Sequence, residues 1–162
     1  MILDGTIKCC DYALHYGIAM NIAGGTHHAY TDHGEAFCML NDQAIGARYL
    51  RTKNLAQKIL IVDLDVHQGN GTAEIFKDDA SVFTFSMHGA SNYPFKKEVS
   101  DLDIALEKGT DDITYLSILK DVLPKLIHQE KPDFIFYLSG VDIIATDKLG
   151  TCLLYTSDAA DE

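Results

Sequence analysis

The sequence predicts an α/β fold in which a parallel sheet carries helices on both faces, giving three layers. Four short segments rich in β-branched and aromatic residues alternate with longer segments whose apolar residues recur at helical spacing. The strongest of the four, KILIVDLDV, is apolar almost without interruption, a pattern typical of a parallel strand that is buried on both faces. A chain of 162 residues has the size of one domain, so a single core is expected.

The four apolar segments are the predicted strands of this sheet. They span residues 19–23, 58–66, 81–87 and 133–139. Gly24 follows the first segment and Gly140 follows the last, as expected where strands give way to turns. Residues 87–108 contain Gly89 and Pro94, and we expect this region to form mostly loop.

Two helices are predicted between the strands. Asn41 or Asp42 can cap the first, which we expect to continue to the region of Leu55. The second occupies residues 110–129, where apolar side chains recur every three or four positions. Pro124 lies inside this pattern and is expected to kink or end the helix, because proline lacks the N–H that the helix needs.

The charge and cysteine content argue against several classes of protein. The formal net charge is −11, whereas nucleic-acid binding depends on clustered lysines and arginines. No apolar segment approaches the roughly 20 residues that a membrane-spanning helix needs, and residues 1–4 lack the features of a secretory signal. The four cysteines form no Cys-x-x-Cys motif, which favours a reducing compartment. We therefore expect a cytoplasmic or nuclear protein that binds no nucleic acid directly.

Three clusters of polar residues each follow a predicted strand. His27 and His28 come after the first strand, residues 63–67 (DLDVH) end the second, and Asp142 comes after the fourth. A histidine pair alone is more often a surface or core pair, and an aspartate after Gly-Val is common in turns. Because ligands of parallel α/β sheets bind beyond the carboxyl ends of the strands, the convergence of all three clusters predicts an active site there.

The second cluster points to a metal. Asp63, Asp65 and His67 alternate along a strand, so their side chains share one face. Burying three such groups costs free energy unless a metal or hydrogen bonds compensate, although a solvated strand end is also compatible with His67. Asp65, His67 and Asp142 would offer two carboxylates and one imidazole, which neutralise a divalent ion. Zinc is expected, and Fe(II) or Mn(II) suits the same donors. The two histidines of the first cluster are then candidates for proton transfer.

Three motifs, in chain order GGTHHAYTDHGEAFCMLND, IVDLDVHQGNG and YLSGVDIIATDKLG, resemble the zinc-dependent histone deacetylase family. That family also includes acetylpolyamine amidohydrolases and acetoin-utilisation proteins. The resemblance covers residues 1–150 and is strongest to the class IV branch and its bacterial relatives. It implies an arginase/deacetylase-like fold.

The resemblance also implies roles for individual residues. It assigns Asp65, His67 and Asp142 as zinc ligands. It assigns His28 as the general base and His27 as the electrostatic partner of that base.

Two further residues would act on this pair. Asp63 would orient the His27 ring through a hydrogen bond, as a carboxylate commonly does for a functional histidine. Asn70 stands where some relatives carry aspartate; its amide oxygen can accept the ring N–H of His28 but brings no negative charge.

The remaining implied residues would bind substrate and a structural cation. Phe37 and Tyr93 would line a narrow acyl-lysine channel. Ala36, at a position where many members have glycine, would offer its carbonyl to the substrate amide. A structural potassium ion is expected near five residues: Asp63, Asp65, His67, Ser86 and Met87.

The implied reaction is hydrolysis of the amide of an acyl-lysine, in a histone or another protein, by a metal-activated water. The alternative substrates are an acetylpolyamine or another small amide. An arginase-like two-metal site is disfavoured, because Gln68, Gly69 and Ile143 offer no further carboxylates beside the predicted ligands. A non-catalytic metal-binding remnant remains the alternative from a different functional class.

We expect this chain to be a fragment with an incomplete fold. Family members carry a longer region before the His-His motif, which includes an acidic substrate-binding residue, and a later glycine-rich segment with a catalytic tyrosine. Residues 1–150 contain neither, and one lost oxyanion donor typically costs ~10²–10³ in turnover, so weak or no activity is expected. We interpret residues 151–162, TCLLYTSDAADE, as an artefactual or disordered tail, with a genuine acidic C terminus as the alternative.

Overall fold

The computed structural model describes residues 1–150, and the predicted tail at 151–162 lies outside the described residues. Eight elements follow one another along the chain: α1 (Ile2–Tyr16), α2 (Asp42–Thr52), β1 (Ile59–Asp63), α3 (Asn70–Phe76), β2 (Val82–Gly89), β3 (Leu102–Leu106), α4 (Asp112–Glu130) and β4 (Phe134–Leu138). Within residues 1–150, no helix is both long and apolar enough to cross a membrane.

The four strands form one sheet in the order β3-β2-β1-β4, and every neighbouring pair is parallel. Strand β1 lies inside the sheet and is buried along its whole length. At its carboxyl end Asp63 pairs with Ser86 of β2 on one side and with Leu138 of β4 on the other. The segments that leave β1 and β4 therefore start side by side.

Helices cover both faces of the sheet. On one face Cys10 of α1, Leu50 of α2 and Phe76 of α3 belong to a buried cluster with Ile61 of β1 and Phe136 of β4. On the other face α4 packs through a second cluster of sheet and helix residues: Leu60, Val62, Phe85, Met87, Tyr115 and Leu126. The prediction of a three-layer α/β fold is confirmed.

The first predicted strand, residues 19–23, is wrong. This segment is irregular and its apolar side chains face solvent, with Ile22 95% exposed. The Asn21 side chain donates to the Ile2 carbonyl (3.0 Å) and to Thr6 Oγ1 (2.8 Å), so the segment is held against α1 instead of pairing with a strand. Short apolar runs of this kind do not distinguish a strand from a loop that is anchored by polar contacts.

Two further elements differ from the prediction. Residues 87–108 contain the edge strand β3, whose sequence LDIAL is only partly buried and lacks the continuous apolar pattern of the inner strands. Helix α4 continues through Pro124, which is exposed, so water can satisfy the carbonyl that the missing N–H leaves free. Helix α1 and the short helix α3 are not predicted by the sequence patterns.

Helix α2 lies unusually close to the sheet at Gly46. A methyl group at this position would meet the Phe136 ring at 2.9 Å and the Cys10 sulfur at 3.4 Å. The absence of a side chain at Gly46 therefore sets the distance between α2 and β4. The buried side chains of the first cluster pack at that distance.

We predict that Gly46→Ala destabilises the fold, although alanine is the better helix former by about 1 kcal/mol. Overpacking against a well-packed ring costs about 1–3 kcal/mol, which outweighs that gain. Phe136→Leu alone should also destabilise the chain, but the two substitutions together should cost less than their sum. Urea unfolding of the four proteins measures this coupling. Higher stability of Gly46→Ala alone would contradict the close packing.

Candidate active site

The carboxyl ends of β1 and β4 carry the polar residues that the sequence analysis singled out. The two strands remain paired beyond their last residues, because the Leu64 amide donates to the Leu138 carbonyl at 3.1 Å. Gly140 lets the two segments that follow β1 and β4 approach each other, since a side chain at position 140 would overlap the Cα of Asp65. This close approach brings Asp142 beside the residues that follow β1.

Asp65, His67 and Asp142 converge into one cluster. One potential ligand atom from each residue lies within 4.8 Å of the others. His67 Nδ1 is 3.0 Å from Asp65 Oδ1 and 3.0 Å from Asp142 Oδ2. Backbone amides hold both carboxylates: the Val66 amide donates to Asp142 at 3.1 Å, and the His67 amide donates to Asp65 at 2.8 Å.

The charges of this cluster match a divalent cation. Hydrogen bonds that the His67 ring donates to the carboxylates of Asp142 and Asp65 raise the pKa of His67 to about 10. Burial opposes ionisation of Asp142, but the His67 hydrogen bond, the Val66 amide and the charge of His67 together hold the pKa of that carboxyl below its usual value. Two carboxylates and one imidazole form the donor set that suits zinc or Fe(II), so the residues present fit such an ion.

His27 is paired with Asp63 beside this cluster. Its Nδ1 lies 2.6 Å from Asp63 Oδ2, and both side chains are buried. Its Nε2 lies 3.9 Å from Asp65 Oδ1. Burial alone would lower the pKa of His27, but the Asp63 carboxylate outweighs burial and holds this pKa above the ordinary value. His27 is therefore a buried histidine that favours its charged form.

His28 has the opposite character, although it is the next residue. Its Nδ1 lies 2.6 Å from Asn70 Oδ1, and because an amide oxygen can only accept, the ring nitrogen donates. Burial, together with the neighbouring positive His27, lowers the pKa of His28 to about 4. The two rings lie 4.1 Å apart between centroids. Near neutral pH His28 is thus uncharged, with its Nε2 lone pair free to accept a proton.

The predicted substrate-binding residues lie in two places. The Tyr93 ring packs edge-on against His28, with 5.1 Å between centroids. Ala36 lies in the turn 35–38, where its φ of 49° is in the left-handed region. That turn is closed by two hydrogen bonds between Glu35 and Cys38. Phe37 is 94% exposed, so Tyr93 contacts His28 directly while Phe37 extends into solvent.

Of the residues expected around a potassium ion, Asp63 lies on β1 and Ser86 and Met87 lie on the neighbouring β2, whereas Asp65 and His67 lie in the segment that follows β1. Asp63 is adjacent to Ser86 in the sheet register, and both Ser86 and Met87 are buried. Ser86 Oγ is 2.9 Å from His88 Nδ1, and Asp63 Oδ1 accepts the Asp65 amide at 3.0 Å. The potassium site stays a prediction.

Two polar residues of the site, Glu35 and Tyr30, were not singled out by the sequence. Glu35 Oε1 accepts from Asn70 Nδ2 at 2.8 Å and also from the Tyr93 hydroxyl. Asn70 Nδ2 in addition lies 3.1 Å from the Tyr30 hydroxyl. Glu35 and Tyr30 belong to the first motif, but they lie in an irregular segment where spacing carries no information about side-chain direction.

Comparison with known proteins identifies the family. The family model described as histone deacetylase domain matches residues 1–161. The chain belongs to the histone deacetylase family. It is 56% identical to an uncharacterized protein of Picosynechococcus sp. over 91% of this chain and 49% of that protein. It is 32% identical to histone deacetylase 2 of Arabidopsis thaliana, covering 91% of this chain and 39% of that one.

Two other matches agree with this family. The chain is 34% identical to the acetoin utilization protein AcuC of Staphylococcus aureus, over 91% of this chain and 41% of that protein. The crystal structure of the HDA15 HD domain superposes with a TM-score of 0.77 at 28% identity, covering 92% of this chain and 48% of that one. The chain thus spans about half the length, or less, of the histone deacetylase relatives that it matches.

The raised pKa of His67 predicts a pH dependence for the metal-free chain. The folded pKa of about 10 exceeds the ordinary 6.5 of an unfolded histidine. The contribution of His67 to stability is therefore complete below pH 6.5 and is lost as the pH rises toward 10. We expect the melting temperature to fall across this range, and to fall less in Asp142→Asn. His128→Gln, a substitution in α4 away from the cluster, is the control. A melting temperature that rises over the same range would contradict the assignment.

Proposed function

We propose that this chain is the metal-binding part of a zinc-dependent deacetylase that hydrolyses the amide of an acyl-lysine in a histone or another protein. The observation that carries the proposal is the convergence of Asp65, His67 and Asp142 beside a neutral His28, in a chain of the histone deacetylase family. Since the chain spans about half the length of its relatives, or less, the activity of the whole protein is part of the proposal.

Asp65, His67 and Asp142 would hold the zinc ion. Three protein ligands leave a further coordination position, as catalytic zinc sites require. When bound, zinc acts as a Lewis acid toward an amide carbonyl and lowers the pKa of a water molecule to about 7. Fe(II) would fit the same donors.

His28 would act as the general base. Its Nδ1 is occupied by the bond to Asn70, so the proton of the attacking water goes to Nε2. The imidazolium that results can then give this proton to the departing lysine amine. His27, held by Asp63, keeps a positive charge next to His28 and so favours return of the proton.

The acyl chain of the substrate would lie against Tyr93, which already packs on His28. The Ala36 carbonyl would accept the substrate amide N–H, and Phe37 would cover the outer part of the channel. An acetylated polyamine or other small acetylated amine is the alternative substrate in the same reaction, and the acidic net charge of −11 suits a cationic amine.

Two further parts of the proposal concern the ion environment and the compartment. A potassium ion would bind near Asp63, Ser86 and Met87, under the residues that follow β1. A cytoplasmic or nuclear location would suit the described cysteines, since Cys9, Cys10 and Cys38 all carry free thiols.

We predict that His28→Ala retains one zinc ion per chain, because His28 makes no contribution to the ligand cluster. In the active whole protein, the same substitution should lower acetate release from an acetyl-lysine peptide or from acetylspermidine by about 10²–10⁴. Metal content by mass spectrometry and acetate release, measured on the same samples, test both statements. Asp142→Ala should lose zinc and turnover together, and His128→Ala should keep both.

Two results would overturn parts of this proposal. Loss of zinc in His28→Ala would refute the assignment of His28 as a base outside the ligand cluster. If the whole protein binds zinc but releases no acetate from either substrate, the alternative of a non-catalytic metal-binding protein is supported instead.

A further inference from the structure

Asn70 lies between a histidine and a carboxylate. Its side chain is completely buried, with Oδ1 toward His28 Nδ1 at 2.6 Å and Nδ2 toward Glu35 Oε1 at 2.8 Å. The two ends of an amide have nearly the same shape, so packing alone does not decide which end faces His28. The hydrogen-bonding partners decide it.

Glu35 is the partner that makes this choice. An ionised carboxylate only accepts hydrogen bonds, so it binds the NH₂ end of Asn70 and rejects the oxygen end. The Tyr93 hydroxyl donates to the same carboxylate oxygen, and this bond lowers the pKa of Glu35. His33 Nε2 lies 3.5 Å from the other oxygen. Glu35 therefore stays ionised and directs Asn70 Oδ1 to His28.

The second neighbour of the amide is less selective. The Tyr30 hydroxyl lies 3.1 Å from Asn70 Nδ2 and donates to Glu98 at 3.3 Å. A hydroxyl both donates and accepts, so it could accommodate either orientation of the amide by rotating its proton. The orientation of Asn70 depends mainly on Glu35.

The orientation of Asn70 fixes the tautomer of His28. With Oδ1 facing it, Nδ1 must carry the proton, and Nε2 is left with its lone pair. With Nδ2 facing it, Nδ1 would become the acceptor and the neutral ring would carry its proton on Nε2, where a base must be unprotonated. A wrong tautomer in an otherwise intact site is enough to reduce catalysis severely.

We propose that Glu35 is a positioning residue, which acts through Asn70 to hold His28 in the tautomer with a free Nε2. The proposal rests on the proposed function of His28 as the base. Glu35 also restrains Tyr93 by accepting its hydroxyl, so one carboxylate fixes both the base and the channel wall that packs against it.

The test is the tautomer of His28 in Glu35→Gln. The new side chain has the same shape but offers both a donor and an acceptor, so Asn70 is no longer forced into one orientation. Two-bond ¹H–¹⁵N spectra at pH 7, assigned with His28→Gln, distinguish the two neutral tautomers. We expect a single Nδ1–H form in the wild-type chain and a mixture with the Nε2–H form in Glu35→Gln. In an active protein kcat should fall about 10–100-fold with KM nearly unchanged.

Two variants separate this role from a general structural one. Tyr30→Phe removes the other acceptor of the Asn70 amide but keeps the carboxylate, so its His28 tautomer should match the wild type. Asn70→Asp, combined with Glu35→Gln, places a side chain that only accepts beside His28, so Nδ1 should carry a proton in every His28 ring, whether neutral or charged. If Glu35→Gln does not fold, Glu35→Ala in the turn replaces it with the same expectation.

Three outcomes would overturn the proposal. They are an unchanged single tautomer in Glu35→Gln, an equal mixture in Tyr30→Phe, and His28 rings without a proton on Nδ1 in the Asn70→Asp, Glu35→Gln variant. The spectra are recorded with and without one equivalent of zinc and require no turnover. Failure of the proposed function, seen as zinc binding without acetate release, is therefore distinguishable from failure of the role of Glu35.

Discussion

The parallel pairing of β1 with β4 is the constraint on which the rest of the site depends. Asp65 and Asp142 are far apart in the chain, and they meet because their strands end side by side, with Asp63 paired to Leu138. Gly140 then lets the segments that follow β1 and β4 come so close that a side chain at position 140 would overlap with Asp65. A shift of this register by one residue would turn the side chains of one strand to the opposite face and separate the carboxylates.

The two adjacent histidines show how partners set chemical character. His27 and His28 are both buried, and burial by itself lowers the pKa of each. Asp63 supplies a full negative charge to His27, whereas Asn70 offers His28 only a dipole. The first ring thus favours its cation, and that cation in turn disfavours a second positive charge on its neighbour. One site obtains a fixed charge and a neutral acceptor from the same residue type.

The sequence predicts the inner part of this fold better than its periphery. Strand β1 and the segment of β2 are recognisable because burial on both faces imposes a continuous apolar pattern. Strand β4 is a half-exposed edge strand, but its residues are all aromatic or aliphatic. The cluster of Asp65, His67 and Asp142 is predicted because these residues come shortly after β1 and β4, although β1 ends at Asp63 and its expected continuation to residue 66 is wrong. The edge strand β3 is not predicted, because its side chains are mostly accessible and the apolar pattern is broken. The segment 19–23 is wrongly predicted as a strand, because its apolar residues lie in solvent. Glu35 could not be predicted, since its contacts with Asn70 and Tyr93 arise from a turn with no periodicity.

The left-handed backbone of Ala36 has a consequence for how such a site can vary. At φ 49° only small or turn-forming residues fit without strain, and β-branched residues are excluded. Glu35, one residue earlier, is fixed by its hydrogen bonds, whereas Phe37, one residue later, is 94% exposed and has few constraints from packing. Three successive positions thus differ sharply in their tolerance to mutation. Phe37 can therefore change in evolution without disturbing the buried hydrogen bonds of Glu35, Asn70 and His28.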